Sequence, residues 1–181
     1  MTLTKFIPVS AMVAFAAALW IYIGSWAGLA LWVPFISWAM YFVFDPTASR
    51  PKRAIKEVIG LTGGILFGYA TLVIMPVMGG LFGGTHALPV TVFIVAFTIV
   101  MLELTNWFEL APAYFFSYAG YFAYVFGGFA ESKESALVPF WFLIMIGLAI
   151  GFATALVRRK ILEREGVFGS SQQTVFDKEG V

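Results

Sequence analysis

Long stretches without a charged residue constrain the fold of this chain more than any other feature. Four stretches contain no Asp, Glu, Lys or Arg: residues 6–44, 58–102, 110–130 and 135–157. A helix needs about 20 apolar residues to cross the ~30 Å hydrocarbon core of a bilayer. The stretches therefore predict an all-α integral membrane protein, and the lipid bilayer is one of its expected partners.

The two longest stretches are each divided by residues that favour turns. Gly24, Ser25 and Gly28 divide the first, and the glycine-rich segment 79–86, expected to be a flexible outer loop, divides the second. One six-helix transmembrane domain is then predicted over residues 1–165, followed by a polar cytoplasmic tail over 166–181. The spans are expected near residues 6–24, 29–44, 56–78, 88–107, 110–129 and 137–157.

The composition excludes several classes of protein. Only 12% of the residues are charged and 61% are apolar, whereas soluble domains carry about a quarter charged residues. The absence of cysteine excludes a disulfide scaffold, and a net charge of +1 provides no basic surface for nucleic acid. The lone His86 supplies neither a catalytic set nor a metal site, so we expect no enzyme, no cofactor and no metal.

The basic residues predict the orientation of the bundle. With six spans, the N-terminus, the link between the second and third spans, and the segment after the sixth span share one side of the membrane. The positive-inside rule makes that side cytoplasmic. Its basic residues are Lys5, Arg50, Lys52, Arg53, Lys56, Arg158, Arg159, Lys160 and Arg164.

The two halves of the chain resemble each other. Residues 35–42 and 115–122 share the pattern Phe-apolar-Ser-aromatic-Ala-x-Tyr-Phe, and Ser25-Trp26 aligns with Asn106-Trp107. Further along, Gly60 and Gly64 align with Gly147 and Gly151. Three spans in each half would make the second half enter from the opposite side, which predicts a 3+3 inverted repeat. The alternative is an old duplication that persists for packing alone.

Transporters built on inverted repeats carry the substrate path at the repeat interface. We therefore expect a path along the matched helices, with Trp26 and Trp107 as candidate gating residues. Trp38 and Tyr118 could form an apolar constriction, or they could simply pack against neighbouring helices. The path residues are expected to be Ser37, Trp38, Tyr41, Ser117, Tyr118, Tyr121, Glu103 and Asn106.

Glu103 is the one acidic residue predicted to intrude upon a span. An ionisable group in a span is costly and marks a site by default, which suggests a proton or cation site. The alternative is an interfacial carboxylate, or one paired with a basic residue such as Lys56. Glu109 is expected to begin the fifth helix, where a carboxylate favours the positive end of the helix dipole.

Four short features of the sequence carry a family resemblance: the Trp26 turn, the end of the second span at Tyr41-Phe42, the Pro112 helix start and the Gly147/Gly151 helix. Over residues 10–157 the chain resembles the domain of unknown function 1097 family. That resemblance implies a six-span protein of the bacterial inner membrane. It brings no established activity.

The function expected from these residues is a channel or facilitator for a small neutral or weakly polar solute, such as urea, an amide or a small organic acid. A proton- or ion-coupled carrier that uses Glu103 is the first alternative, and a non-transporting subunit of a membrane complex is the second. The glycine stripes could join helices within one chain or between copies. We expect a homo-oligomer in either case.

Overall fold

The computed structural model describes residues 3–44 and 51–166, with the backbone alone for residues 3, 41–44, 51 and 52. Almost all of the predicted tail and the link at 45–50 lie outside the described residues. The described chain is helical and contains no strand, so the predicted all-α class is confirmed. The helices are α1 (Leu3–Trp26), α2 (Val33–Phe44), α3 (Pro51–Phe82), α4 (Gly84–Met101), a short 3₁₀ helix (Leu102–Leu104), α5 (Ala111–Phe126) and α6 (Lys133–Arg164).

Helix length separates two of these helices from the others. In the described part of the chain, four helical segments are long and apolar enough to cross a membrane: α1, α3, α4 with its 3₁₀ extension, and α6. The helix α2 has 12 residues and α5 has 16, which correspond to about 18 and 24 Å. Both are shorter than the ~30 Å hydrocarbon core.

The glycine-rich segment 79–86 is helical, so the predicted flexible loop is wrong. The helix α3 continues to Phe82 and α4 begins at Gly84, with Gly83 alone between them at a φ of 86°. The Gly83 N–H donates to Gly79 O at 3.0 Å. The weak helix propensity of glycine therefore does not open a loop here, and only Gly83 departs from helical geometry. His86 lies exposed in the first turn of α4.

The fourth helix ends earlier than the sequence predicts, at Met101 rather than near residue 107. Thr105 is extended, with φ −111° and ψ 154°. Its Oγ1 donates to Leu102 O at 2.7 Å and accepts from the Phe108 N–H at 3.2 Å. Such local bonds offer the backbone an alternative to the helix. Glu103 and Asn106 therefore lie outside α4.

The described chain forms two compact units. The first contains α1, α2 and α6 from Met145 onward. Here Val9 of α1 packs with Leu162 of α6, and the Lys5 Nζ donates to Glu165 O at 3.2 Å. The indole of Trp20 donates to Leu31 O at 2.8 Å and so fastens the α1–α2 link.

The second unit covers Ala54–Ile144, with α5 at its core. Tyr114 and Ala111 of α5 pack against Val95 and Ile99 of α4. Further along α5, the Tyr121 hydroxyl donates to Lys133 O at the start of α6. The ring of Phe140 in α6 lies 5.9 Å from that of Tyr121 and 5.3 Å from that of Tyr124.

Replacing Tyr121 by Phe should destabilise the second unit, because it removes one partly buried hydrogen bond while the ring packing stays. We expect Tyr121→Phe to lower the free energy of unfolding by about 1 kcal/mol in an SDS titration of the purified protein in mixed micelles. The control is Tyr22→Phe on α1, whose side chain is exposed. Equal stability of the two variants would contradict the expectation.

Candidate functional site

In the first unit, Ser37 of α2 lies directly against the backbone of α6. The serine is fully buried, and its Oγ donates to Pro34 O at 3.3 Å. A Cβ added at Gly147 of α6 would overlap both Pro34 O and Ser37 Oγ. The two helix backbones therefore meet at this point, and only glycine fits there.

The neighbouring Trp38 holds the same two helices together through a hydrogen bond. Its indole Nε1 donates to the Thr154 Oγ1 of α6 at 3.0 Å. The Thr154 hydroxyl in turn donates to Ile150 O at 2.9 Å. Both side chains are buried, so their polar atoms are satisfied away from water.

In the second unit, Ser117 of α5 lies against α3 in the same manner. It is fully buried, and its Oγ donates to Ala113 O at 3.0 Å. A Cβ added at Gly64 of α3 would overlap Ser117 Oγ and Tyr114 O. The α3–α5 contact thus also depends on a glycine opposite a serine.

A hydroxyl pair completes this second contact. Tyr118 OH and Thr71 Oγ1 lie 3.0 Å apart, and Thr71 Oγ1 also donates to Phe67 O at 2.8 Å. Because a hydroxyl has one proton to donate, Tyr118 is the donor to Thr71. An aromatic side chain on α5 therefore donates to a threonine on α3, just as Trp38 on α2 donates to Thr154 on α6.

The two contacts are one pattern that occurs twice, which we call the Ser–Gly/aromatic–Thr contact. Residues 64–71 read Gly-Ile-Leu-Phe-Gly-Tyr-Ala-Thr, and residues 147–154 read Gly-Leu-Ala-Ile-Gly-Phe-Ala-Thr. In structure, Gly64 and Thr71 correspond to Gly147 and Thr154. Each contact pairs a helix of the first half of the chain with a helix of the second: α2 with α6, and α3 with α5.

This correspondence corrects the alignment of the third and sixth helices. In sequence, Gly60 aligns with Gly147, which is one helical turn away from the position that the contacts indicate. Glycines that recur every fourth residue superpose equally well after a one-turn shift, so they cannot fix the register. Thr71 and Thr154 fix the register, because each is hydrogen-bonded to an aromatic side chain of the opposite helix.

The remaining expected path residues take no part in the described hydrogen bonds of either contact. Tyr121 is fully buried, with Gly68 of α3 beside its ring. The side chain of Tyr41 lies outside the described residues. Glu103, Asn106, Trp26 and Trp107 are exposed, the two indoles by 89% and 50%.

Charged residues near the α5 start pair differently from the expectation. Lys56 of α3 forms an ion pair with Glu109, not with Glu103, and its Nζ lies 6.0 Å from the centre of the Trp107 ring. Glu57 of α3 and Arg158 of α6 are both buried, which the sequence did not indicate. Among the described residues, no group of three His, Cys, Asp or Glu side chains is placed to hold a metal ion.

Comparison with models of known protein families gives a match. The family model described as "Protein of unknown function (DUF1097)" matches residues 10–161. The chain belongs to the DUF1097 family. No curated protein and no solved structure matches it. The predicted family resemblance is thus confirmed, and what the DUF1097 chain does must be argued from its own residues.

The two glycines of the Ser–Gly/aromatic–Thr contacts, Gly64 and Gly147, should not tolerate a side chain. Gly64→Ala and Gly147→Ala should each destabilise the protein by about 1–3 kcal/mol, the usual cost of overpacking, because the new methyl group meets a backbone oxygen that cannot move aside. SDS titration and thermal unfolding in detergent measure the effect.

The matched control is Gly80→Ala. Gly80 is also helical, and nothing lies within 4 Å of a Cβ added there, so the substitution should be neutral or slightly stabilising. If Gly64→Ala and Gly147→Ala behave like this control, the backbones are not in contact as described.

Proposed function

We propose that this DUF1097 protein crosses the bacterial inner membrane six times and forms a 3+3 inverted repeat. In this proposal α1–α3 and α4–α6 are the two halves, and both termini are cytoplasmic. The twice-occurring Ser–Gly/aromatic–Thr contact supports the repeat, since two halves related by a two-fold axis would form reciprocal α2–α6 and α3–α5 contacts. Homo-oligomerisation remains part of the proposal, with Phe15, Tyr22 and Trp26 of α1 exposed to a neighbour or to lipid.

The activity we propose is facilitated passage of a small neutral or weakly polar solute, of the urea, amide or small organic acid class. The observation that carries it is a pair of short helices, α2 and α5, in corresponding positions of the two halves. Short or broken segments at corresponding positions are the best sequence-level indication of a binding site in transporters with repeats. In this chain, the same two helices carry the matched serines and aromatics.

The chemistry of the contact favours a neutral solute. Its polar groups are hydroxyls and one indole N–H, which can exchange hydrogen bonds with an amide or a hydroxyl. Ion filters instead use rings of carbonyls or charged side chains to replace the hydration shell. The contact provides neither kind of ring, and we therefore propose that hydrated ions are rejected.

In this proposal, the described structure is a closed state. The aromatic–threonine hydrogen bonds hold Trp38 and Tyr118 against the neighbouring helix, and both matched serines are fully buried. A hydrogen bond between transmembrane helices contributes about 0.6 kcal/mol on average. Breaking one is therefore a small cost, and the released groups become available to the solute.

A non-transporting subunit is the second candidate function. It is favoured by the complete burial of Ser37 and Ser117 against glycine, since a bundle packed tightly at its matched positions serves assembly equally well. The Glu103 carrier receives no comparable support, because Glu103 is exposed in the 3₁₀ extension at the end of α4.

The proposed topology can be tested directly because the chain contains no cysteine. Single cysteines at Ala27 and Ser132 should react with a membrane-impermeant maleimide added to intact cells whose outer membrane is permeabilised. Single cysteines at Thr105 and Glu165 should react only after the inner membrane is opened. Labelling of Ser132→Cys and Thr105→Cys from the same side would contradict the inverted repeat.

Transport is tested by stopped-flow swelling of proteoliposomes in urea, small amides, glycerol and small organic acids. Wild type should exceed empty liposomes for at least one solute. Ser117→Leu should abolish the excess because it fills the α3–α5 contact. Tyr118→Phe should raise the flux a few-fold, since a loss of about 0.6 kcal/mol favours the open state.

The flux experiment separates the candidate functions. Tyr22→Phe is the control for Tyr118→Phe, and monodisperse elution in detergent verifies that each variant is folded. A flux that depends on pH and disappears in Glu103→Gln would favour the carrier. No flux of any solute through well-folded wild type would overturn the facilitator and favour the subunit.

A further inference from the structure

An apolar cleft runs along α3 in the second unit, beside the Ser–Gly/aromatic–Thr contact. Its volume is about 730 Å³. Gly63 has no side chain, so the Tyr114 ring can lie directly against the α3 backbone, where a Cβ would overlap it. Gly63 and this ring form the floor of the cleft. Leu66 and Phe108 are exposed, so the cleft opens to the exterior. Its lining includes Val58, Gly63, Leu66, Ala70, Phe108 and Tyr114.

The dimensions of the cleft suit one hydrocarbon chain. From Val58 to Ala70, α3 rises about 18 Å, whereas one leaflet of the hydrocarbon core is about 15 Å deep, half of the ~30 Å total. The volume lies within the ~300–1,000 Å³ of sites that take small molecules. A linear apolar occupant that extends through one leaflet would fill this space.

One end of the cleft carries polar groups typical of a membrane interface. Lys56 lies half a turn before Val58, and its Nζ is beside the Trp107 ring and paired with Glu109. Trp and Lys are characteristic residues of the interface at the level of lipid headgroups. An ammonium group has three N–H donors, so the pair with Glu109 leaves donors for a phosphate oxygen.

From this arrangement we infer that the cleft is a binding site for one phospholipid. One acyl chain lies along α3 from Val58 to Ala70, and the phosphate accepts a hydrogen bond from Lys56. The position of the Lys56–Glu109 pair supports a lipid over a second copy of this chain. A phospholipid has one polar end and one apolar end, as the cleft does, whereas a packed helix of a second copy would need no polar groups at one end alone.

The test is native mass spectrometry of protein purified in a mild detergent, stripped of lipid and titrated with phosphatidylglycerol. Wild type should bind one lipid tightly. Ala70→Phe fills the deep end of the cleft and should weaken that binding by about tenfold or more, equivalent to about 1.4 kcal/mol. The matched control is Val73→Phe, an exposed site on the same helix that does not line the cleft; its binding should equal that of wild type.

A second variant tests the headgroup contact without filling the cleft. Lys56→Gln should weaken the binding of phosphatidylglycerol several-fold and leave the binding of diacylglycerol, which has the same chains and no phosphate, unchanged. The proposal is overturned if wild type binds no lipid beyond the unspecific level, or if Ala70→Phe and Val73→Phe bind equally. It is also overturned if Ala70→Phe abolishes a dimer and leaves lipid binding unchanged. Lipid binding is measured without flux, so this result and that of the transport assay are independent.

Discussion

The close approach of helix backbones at Gly64 and Gly147 is the contact on which the described fold depends most. Lipid tails are as apolar as leucine, so the hydrophobic effect does not drive one helix against another inside a bilayer. Association there depends on van der Waals contact between small residues and on hydrogen bonds between helices. The DUF1097 chain provides both at the same place, with a serine against each glycine and an aromatic–threonine hydrogen bond two turns away.

The sequence was sufficient for the helical class and for the approximate position of each helix, because uncharged stretches of span length permit little else. It was insufficient at two boundaries, for different physical reasons. Glycines at 79–84 indicate a turn in water, but in α3 and α4 the backbone keeps its helical bonds. At Thr105 a single side-chain turn ends the 3₁₀ extension of α4, and hydropathy carries no signal for such local geometry.

The candidate site shows a similar division. The matched pattern around Ser37 and Ser117 lies on two helices that make the same kind of contact in the structure. For the helices that they contact, α3 and α6, the sequence alignment was one helical turn off, because glycines that recur every fourth residue align equally well after a one-turn shift. Thr71 and Thr154 resolve the register, but a threonine in an apolar helix resembles any other small residue until its partner is known. The burial of Glu57 had no signal either, because it follows a run of basic residues that reads as solvated.

The central question about this protein is whether a solute passes the Ser–Gly/aromatic–Thr contacts or whether these contacts only hold the helices together. Ser37→Cys and Ser117→Cys in the cysteine-free chain answer it most directly, with Thr105→Cys as the exposed reference. If a solute path passes the serines, a small water-soluble methanethiosulfonate reagent should modify both cysteines in proteoliposomes, and the transported solute should slow that reaction. If the reagent modifies Thr105→Cys and never reaches Ser37→Cys or Ser117→Cys, the contact is a structural joint and the proposed path is wrong.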